Sequence, residues 1–325
     1  MTKKKVTIAG AGSIGTALGH ALAKKKEYDV QLLSIEEDVV KSINENRRNF
    51  KYFPNVKLGK FLKATTDNNV MKDSDIIFLA LPSLATTNFV LDNKNIINDS
   101  AILLNMAKGF SKDQQTITEA LSSKIKNPVC AFKGPTFARE LINKFPTAFT
   151  IGTTDPSHEK IFNDLFQDTA VHIDYSTDVN GVEILSILKN IYAIATGIVD
   201  AHYDSPNLRF LFLTKAFNEM KNILVEHGGL TETMFKYCGY GDFTLTALND
   251  LSRNRTLGLL IGKGFFTDDI SEHVILEGKI AISVFCEEIT SKGKNGSHYP
   301  IISELYKVFN RDYDISKFVS KVVNS

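Results

Sequence analysis

The sequence predicts two domains, the first built on a mostly parallel, doubly wound α/β sheet and the second entirely α-helical. The chain has 325 residues, which is long for a single hydrophobic core. Between Lys5 and Tyr175, short apolar and β-branched runs alternate with helical stretches, as in a parallel sheet covered by helices. After Thr177 the β-type runs stop and helical patterns take over. We therefore predict a dinucleotide-binding type of domain over residues 1–177 and a helical domain over residues 178–325.

The strands of the first domain are predicted from short runs rich in Val, Ile, Leu and Phe. They cover residues 6–9, 30–33, 76–80, 101–104, 129–132, 148–151 and 171–173. In the second domain, residues 183–200 are apolar on nearly every face, which predicts a buried helix. A second helix is predicted from the N-cap Ser205 and Pro206 to the glycines at 228–229, and another after Pro300.

Composition and charge exclude several kinds of partner. With 43% hydrophobic residues, 23% charged residues and a net charge of +1, the chain has an ordinary globular composition. No electrostatic argument favours nucleic acid or an anionic membrane as a partner. Cys130, Cys238 and Cys286 are scattered and no histidines cluster, so we predict no metal site and no disulfide, which fits a reducing cytoplasm.

The N-terminus resembles a secretory signal, because three lysines at 3–5 precede apolar and small residues. Glycines interrupt the apolar segment, so we reject a signal peptide. We find no apolar run close to the roughly 18 residues that a membrane span needs, so we predict no membrane span.

A glycine-rich turn follows the first predicted strand. Gly10, Gly12 and Gly15 have the G-x-G-x-x-G spacing between a strand and a helix. Gly10 permits a tight turn, Gly12 lets the backbone approach a pyrophosphate, and Gly15 lets the helix pack on the strand. N–H groups at the helix start, around Ser13 and Ile14, attract phosphates. The turn predicts dinucleotide binding; the alternative is a structural turn.

An acidic residue after the second strand is expected to hold the adenosine ribose. Glu36 lies 21 residues after Gly15 and fits this role, with Glu37 as a second candidate. A carboxylate there repels a 2′-phosphate and favours NAD over NADP. Arg47 and Arg48 keep NADP open, although a solvated basic helix end also explains them.

Lys189 and Asn190 lie in the middle of the apolar helix 183–200. Burial of an ammonium is costly and lowers a lysine pKa, so this lysine requires a reason. One reason is proton transfer near neutral pH. The alternatives are a lysine that extends to the surface, or one that pairs with Glu183 or another carboxylate.

Two polar segments follow predicted strands of the first domain. Lys108 comes just after a strand, where it is able to reach a ligand at the carboxyl end of the sheet, although a surface lysine is the alternative. Thr136 follows the Lys-Gly-Pro turn at 133–135 and either caps a short helix or offers its hydroxyl group to a ligand.

The densest polar segment is residues 239–255. Ser252 is a predicted N-cap, and Arg253, Asn254 and Arg255 follow it at a helix start. Arginine at a helix N-terminus is unfavourable without a compensating anion, so the segment predicts a phosphate site. Asp242 is either a carboxylate that holds a buried lysine or a plain turn residue.

Together these motifs resemble the bacterial type of NAD(P)-dependent glycerol-3-phosphate dehydrogenase. The resemblance rests on GAGSIGTA at 10–17, KGPTFARE at 133–140, LKNIYAIATGIVD at 188–200, GDFTLT at 241–246, LSRNR at 251–255, and Glu277 with Gly278. It spans residues 5 to about 305 in collinear order. It implies an N-terminal Rossmann domain, a C-terminal helical domain and an active site between them, in a cytoplasmic homodimer that supplies glycerophospholipid synthesis.

The resemblance also implies roles for individual residues. Lys189 matches the catalytic base, Lys108 and Thr246 orient the C2 oxygen, and Asp242 holds Lys189. The implied substrate contacts are Lys108, Gly134, Thr136, Asn190, Asp242, Ser252, Arg253 and Asn254. The implied cofactor contacts are Gly10, Gly12, Ser13, Ile14, Gly15, Glu36, Lys108, Ala138, Arg253 and Glu277. The implied reaction is reduction of dihydroxyacetone phosphate by a nicotinamide dinucleotide.

Several positions depart from the family pattern. Ile14 replaces an aromatic residue, and Ile35 replaces an arginine that meets the 2′-phosphate of NADP, which favours NAD. Residues 202–206 replace a glycine-rich turn, Lys215 replaces an arginine, and Ala247 replaces a cysteine. A related phosphorylated three-carbon substrate therefore stays open. A dehydrogenase of 3-hydroxy acids or ketopantoate also stays open, as does a dinucleotide-binding protein without turnover.

Overall fold

The computed structural model describes residues 3–25, 27–265, 272–291, 298–310 and 313–325, and within 272–291 the side chains of 277–287. The chain divides into two units, Met1–Glu183 and Ile184–Ser325. The boundary predicted after Thr177 lies just before the helix Val179–His202, and the structural division falls six residues later, inside this helix.

Unit 1 contains an eight-stranded sheet in its described part. Its strands are β1 Lys4–Ala9, β2 Tyr28–Leu33, β3 Lys63–Thr65, β4 Ile76–Leu79, β5 Ile102–Asn105, β6 Val129–Lys133, β7 Thr147–Gly152 and β8 Val171–Ser176, in the spatial order β3-β2-β1-β4-β5-β6-β7-β8. Every pairing is parallel except that of β6 with β7. The predicted sheet and all seven predicted strands are confirmed. β3 was missed because its three residues, Lys-Ala-Thr, form no apolar run.

Apolar cores cover both faces of the sheet. In β4, Ile76 and Phe78 belong to one buried cluster, while the alternate residues Ile77 and Leu79 belong to another. Burial on both faces explains why this strand is a continuous apolar run rather than an alternating one. The flanking helices are α1 Ser13–Leu22, α2 Glu37–Asn46, α3 Ser83–Asp92, α4 Ile117–Ser122, α5 Ala138–Ile142 and α6 Ser157–Phe166.

All the regular secondary structure described in unit 2 is helical. Its helices are α7 Val179–His202, which begins in unit 1, α8 Pro206–Glu226, α9 Asp242–Leu248, α10 Arg253–Gly262, α11 Glu272–Ser291, α12 Pro300–Asn310 and α13 Phe318–Val323. Both predicted serine caps are confirmed. The Ser205 hydroxyl accepts a hydrogen bond from the Leu208 N–H at 3.4 Å, and the Ser252 hydroxyl accepts one from the Arg255 N–H at 3.3 Å.

The helix α7 corrects one expectation. By length and composition it is apolar enough to cross a membrane, with a mean hydropathy of 1.6 over its best 18 residues. Since 94% of that window is buried inside the protein, α7 is a core helix.

Glycines bring α7 and α10 into close contact. A Cβ atom on Gly258 would lie 2.0 Å from the carbonyl oxygen of Ile194, and one on Gly197 would lie 2.3 Å from that of Arg255. Only glycine permits backbone-to-backbone packing this close. This crossing fixes the part of α10 around Arg255 and Gly258 beside the C-terminal half of α7.

A buried carboxylate fixes the start of α12. Glu219, on α8, accepts hydrogen bonds from the Ile301 N–H at 3.0 Å, the Ile302 N–H at 2.9 Å and the Tyr192 hydroxyl at 2.9 Å. It therefore acts as an N-cap supplied by a distant residue. Burial raises the pKa of Glu219 to about 7.

Candidate active site

The glycine turn in unit 1 uses its glycines for different reasons. Gly10 has a φ of +110°, and a Cβ atom there would lie 2.3 Å from the carbonyl oxygen of Ala80. A Cβ atom on Gly15 would lie 2.0 Å from the carbonyl oxygen of Gly10. On Gly12, by contrast, a Cβ atom would have no heavy atom of the described residues within 4 Å. Packing inside the fold therefore explains Gly10 and Gly15, but not Gly12.

The start of α1 is suited to an anion. Gly12 is its N-cap, and no side chain among the described residues caps it. The first turn of a helix carries N–H groups without partners in the helix, and these favour phosphate. Ser13 is exposed and Ile14 is half-buried there.

Asn49 supports the turn, although sequence reasoning did not identify it. This fully buried residue donates hydrogen bonds to the Ala11 carbonyl at 3.0 Å and to the Thr16 hydroxyl at 2.9 Å. The Thr16 hydroxyl itself donates to the Ala11 carbonyl at 3.1 Å. The turn is thus held from a loop 38 residues away.

Glu36 follows β2 and forms an ion pair with Lys51, which sequence reasoning also missed. Ile35 is 97% exposed. Arg47 donates to the Leu58 carbonyl at 2.8 Å, and Arg48 donates to the Pro54 carbonyl at 2.9 Å. Reading these two arginines as a solvated basic helix end was therefore incomplete, because backbone carbonyls hold both guanidinium groups.

Lys108 and Gly134 meet at the ends of β5 and β6. The Lys108 ammonium donates a hydrogen bond to the Gly134 carbonyl at 3.1 Å. A Cβ atom on Gly134 would lie 2.2 Å from the Ala148 carbonyl oxygen, so this position requires glycine. The structure thus brings these two predicted substrate contacts together within unit 1.

Thr136 does not cap a helix, so that alternative is wrong. The N-cap of α5 is Phe137, and the Thr136 hydroxyl instead bonds to the Thr147 hydroxyl at 3.0 Å. Ala138, a predicted cofactor contact, begins α5 and packs against the core.

A buried ionic cluster behind Lys108 was missed altogether. The Lys133 side chain is fully buried and pairs with Glu183 at 2.9 Å. Asn105 donates to both carboxylate oxygens of Glu183, at 2.8 and 3.0 Å. The available signal was Lys133, which directly follows the apolar run Val-Cys-Ala-Phe at 129–132. A lysine at the end of a buried strand indicates a buried ammonium that needs a partner, as for Lys189.

Lys189, in unit 2, is buried and forms an ion pair with Asp242. Its ammonium lies 3.0 Å from the Asp242 carboxylate and donates a hydrogen bond to the Thr246 hydroxyl at 2.8 Å. The Thr246 hydroxyl donates to the Asp242 carbonyl at 2.7 Å, four residues back on α9. Of the alternatives, the pairing with another carboxylate is confirmed by Asp242, while Glu183 pairs with Lys133. Asn190, next to Lys189, is half-buried.

The start of α10 carries the predicted phosphate site. Ser252 is buried, Asn254 is half-buried and Arg253 is exposed. Arg255 is different: its guanidinium pairs with Asp200 and lies 3.3 Å from an Asp250 oxygen. For Arg255 the argument from an uncompensated arginine is therefore wrong, because the chain supplies the anion.

Two of the departures from the family pattern contact backbone carbonyls more than 100 residues away along the chain. Glu277 is half-buried on α11. Lys215 donates to the Ser325 carbonyl at 2.6 Å, and the His202 Nε2 atom lies 3.1 Å from the Ile315 carbonyl oxygen. Across the described residues, no group of His, Cys, Asp and Glu side chains has an arrangement that could hold a metal ion. The three cysteines, all described, form no disulfide.

Comparison with known proteins identifies relatives of the whole chain. The family model for the NAD-dependent glycerol-3-phosphate dehydrogenase N-terminus matches residues 5–159, and that for the C-terminus matches residues 178–320. Two curated relatives are named glycerol-3-phosphate dehydrogenase, NAD(P)+. The one from Clostridium acetobutylicum is 32% identical, with 98% of this chain and 96% of the relative covered. The one from Methanothermobacter thermautotrophicus is 33% identical, with 97% and 96% covered.

A solved structure is similar over its full length. Glycerol-3-phosphate dehydrogenase from Coxiella burnetii superposes with a TM-score of 0.90 at 26% identity, and all of both chains is covered.

Proposed function

Because the chain belongs to the NAD-dependent glycerol-3-phosphate dehydrogenase family, we propose that it interconverts sn-glycerol 3-phosphate and dihydroxyacetone phosphate with a nicotinamide dinucleotide. The observation that carries the proposal is the buried ammonium of Lys189, held by Asp242 and Thr246. Such a group is able to exchange a proton with a substrate oxygen. The product would serve glycerophospholipid synthesis.

Unit 1 has the features that a dinucleotide requires. The open space in front of Gly12 and the start of α1, which has no side-chain cap among the described residues, fit a pyrophosphate. Gly10, Gly12, Ser13, Ile14 and Gly15 would hold it. Glu36 would accept hydrogen bonds from the adenosine ribose, and its negative charge favours NAD over NADP. Lys108, Ala138, Arg253 and Glu277 are the further proposed cofactor contacts.

The chemistry divides between the cofactor and the chain. When bound, reduced nicotinamide supplies the hydride that forms the new C–H bond at C2 of the ketone. Lys189 gives its proton to the C2 oxygen as the C=O double bond becomes a single bond, and it takes that proton back in the reverse reaction. General acid catalysis of this kind contributes roughly 10²- to 10⁴-fold in rate.

Asp242 and Thr246 keep Lys189 in position. The Asp242 carboxylate compensates the buried ammonium, and the Thr246 hydroxyl accepts one of its hydrogen bonds. Two of its N–H donors are thereby oriented. A rigid ammonium needs little reorganisation when the substrate arrives.

The start of α10 is the proposed phosphate site. Ser252, Arg253 and Asn254 would contact the phosphate, with the N–H groups of the first turn and the Arg253 guanidinium supplying the positive charge. The exposure of Arg253 supports this role, because its guanidinium is accessible. Lys108, Gly134, Thr136 and Asn190 are the remaining proposed substrate contacts.

The substrate is tested by comparing dihydroxyacetone phosphate with unphosphorylated dihydroxyacetone, each with NADH and with NADPH. We expect kcat/KM to be far higher for the phosphate, and higher with NADH. Equal rates for both ketones would remove the phosphate site from the proposal. No turnover of either ketone, combined with NADH binding, would favour a binding protein without activity.

The catalytic base is tested with Lys189→Ala. Turnover should be lost while the affinity for NADH is kept, because Lys189 is proposed to move a proton rather than to bind the cofactor. A variant with unchanged kcat would end this assignment. We also propose a homodimer, which gel filtration of the wild type tests. Cysteines that form no disulfide fit the proposed reducing cytoplasm.

A further inference from the structure

We propose that Lys133 is a positioning residue that fixes the backbone beside Lys108. The proposal concerns the described part of unit 1 and deepens the proposed function, on which its kinetic test rests. It assigns a role to the ionic cluster of Lys133, Glu183 and Asn105.

The stability of the fold is a weak explanation for burying this ion pair. Lys133 and Glu183 are 0% and 1% exposed, so both charges are removed from water. A buried ion pair is often replaced by apolar residues of similar volume without loss of stability. The pair is therefore better explained by what its geometry holds in place.

The cluster holds Ala107, the residue that precedes Lys108. The Ala107 N–H donates to the Asn105 side-chain oxygen at 3.0 Å, and the Ala107 carbonyl accepts a hydrogen bond from the Lys133 ammonium. Glu183 links Lys133 and Asn105, because it pairs with the Lys133 ammonium and accepts a hydrogen bond from the Asn105 amide. Both the N–H and the carbonyl of Ala107 are thus hydrogen-bonded to side chains of this cluster.

The two segments also hold each other reciprocally. The Lys133 ammonium reaches the carbonyl of Ala107, and the Lys108 ammonium reaches the carbonyl of Gly134 at 3.1 Å. Both the backbone and the ammonium of Lys108 therefore take their position from the end of β6. Loss of the Lys133 contact would let the Lys108 ammonium move relative to its substrate position.

The test is a charge-neutral double variant, Lys133→Met with Glu183→Gln, which leaves no uncompensated buried charge. Its midpoint of thermal unfolding should stay close to that of the wild type. Hydrogen exchange of the peptide covering residues 105–111 should become faster, because the Ala107 carbonyl loses its hydrogen bond from Lys133. With dihydroxyacetone phosphate and NADH, kcat/KM should fall about tenfold.

A mutant cycle with Lys108→Ala separates positioning from general stability. If Lys133 acts through Lys108, the fold loss of kcat/KM caused by Lys108→Ala should be about tenfold smaller in the double variant than in the wild type. Lys25→Met is the control, since the Lys25 ammonium likewise donates to backbone carbonyls, those of Asp164 and Gln167. It should leave both the exchange of 105–111 and the kinetics unchanged.

The outcomes are separable. Unchanged hydrogen exchange in residues 105–111 overturns the proposal. Faster exchange also overturns it if the losses of kcat/KM from Lys108→Ala and from the double variant are fully additive. If the wild type has no turnover, the proposed function fails, and the exchange experiment still decides whether Lys133 holds the loop. If the double variant does not fold, Lys133→Arg keeps the charge opposite Glu183 while displacing the donor to Ala107, and the same readouts apply.

Discussion

Replacing Gly12 by alanine should weaken the binding of a nicotinamide dinucleotide and leave the stability of the protein unchanged. Gly12 has φ −69° and ψ −170°, a conformation open to any L-residue. The added methyl group would meet no described heavy atom within 4 Å. The fold should therefore tolerate alanine at this position.

The magnitude follows from what the methyl group would displace. It would enter the open space in front of α1, where the pyrophosphate is proposed to approach the N–H groups. Loss of one or two charge-assisted hydrogen bonds there costs about 3 kcal/mol. Because each 1.4 kcal/mol is tenfold in affinity, the dissociation constant for NADH should rise about 100-fold.

Two other glycines supply matched controls. Gly10→Ala places a Cβ atom 2.3 Å from a backbone carbonyl oxygen at a φ of +110°, so this variant should unfold at a markedly lower temperature. Gly228 has a φ of +77° with nothing described within 4 Å, so Gly228→Ala should cost about 1 kcal/mol of stability and no NADH affinity.

The assays are thermal unfolding and fluorescence titration with NADH. The reasoning is refuted if Gly12→Ala binds NADH as tightly as the wild type. It is equally refuted if Gly12→Ala loses as much stability as Gly10→Ala, since Gly12 would then be a packing residue.

Three further predictions concern other elements. Glu36→Ala should reduce the kcat/KM preference for NADH over NADPH about tenfold, because the carboxylate is lost and Lys51 is released; an unchanged ratio would contradict the ribose role. Gly258→Ala should destabilise the protein by about 3 kcal/mol in urea unfolding, because its Cβ atom would lie 2.0 Å from a carbonyl oxygen of α7; a wild-type midpoint would contradict the close crossing. Glu219 has its pKa raised from 4.5 to about 7, so its contribution to stability is complete below pH 4.5 and is lost as the pH rises through about 7. Relative to Glu219→Gln, the wild type should lose about 3 kcal/mol of unfolding free energy over this range, and parallel profiles would contradict the shift.

The sequence predicted the elements whose causes are local. The serine caps at 205 and 252 depend on residues within one turn, and Gly10, Gly12 and Gly15 belong to one turn between a strand and the next helix; each is found where it was expected. The buried state of Lys189 was also predictable, because the helix around it is apolar on nearly every face. A local pattern specifies local conformation, since both involve the same few residues.

The pairing of Lys189 with Asp242 was expected, whereas tertiary structure alone decided the other charge pairs. Lys189 pairs with Asp242, Lys133 with Glu183, and Arg255 with Asp200, across 53, 50 and 55 residues of chain. Composition offers many carboxylates for each cation, and only the folded chain selects among them.

Two neighbouring arginines show the physical reason most directly. Arg253 and Arg255 have the same side chain at nearly the same place on one helix, and the sequence argument for a cationic helix start applied to both. The fold turns Arg255 toward Asp200 and leaves Arg253 exposed. Sequence by itself determined that a cationic helix start exists, whereas the close packing of α7 on α10 decided which cation remained accessible.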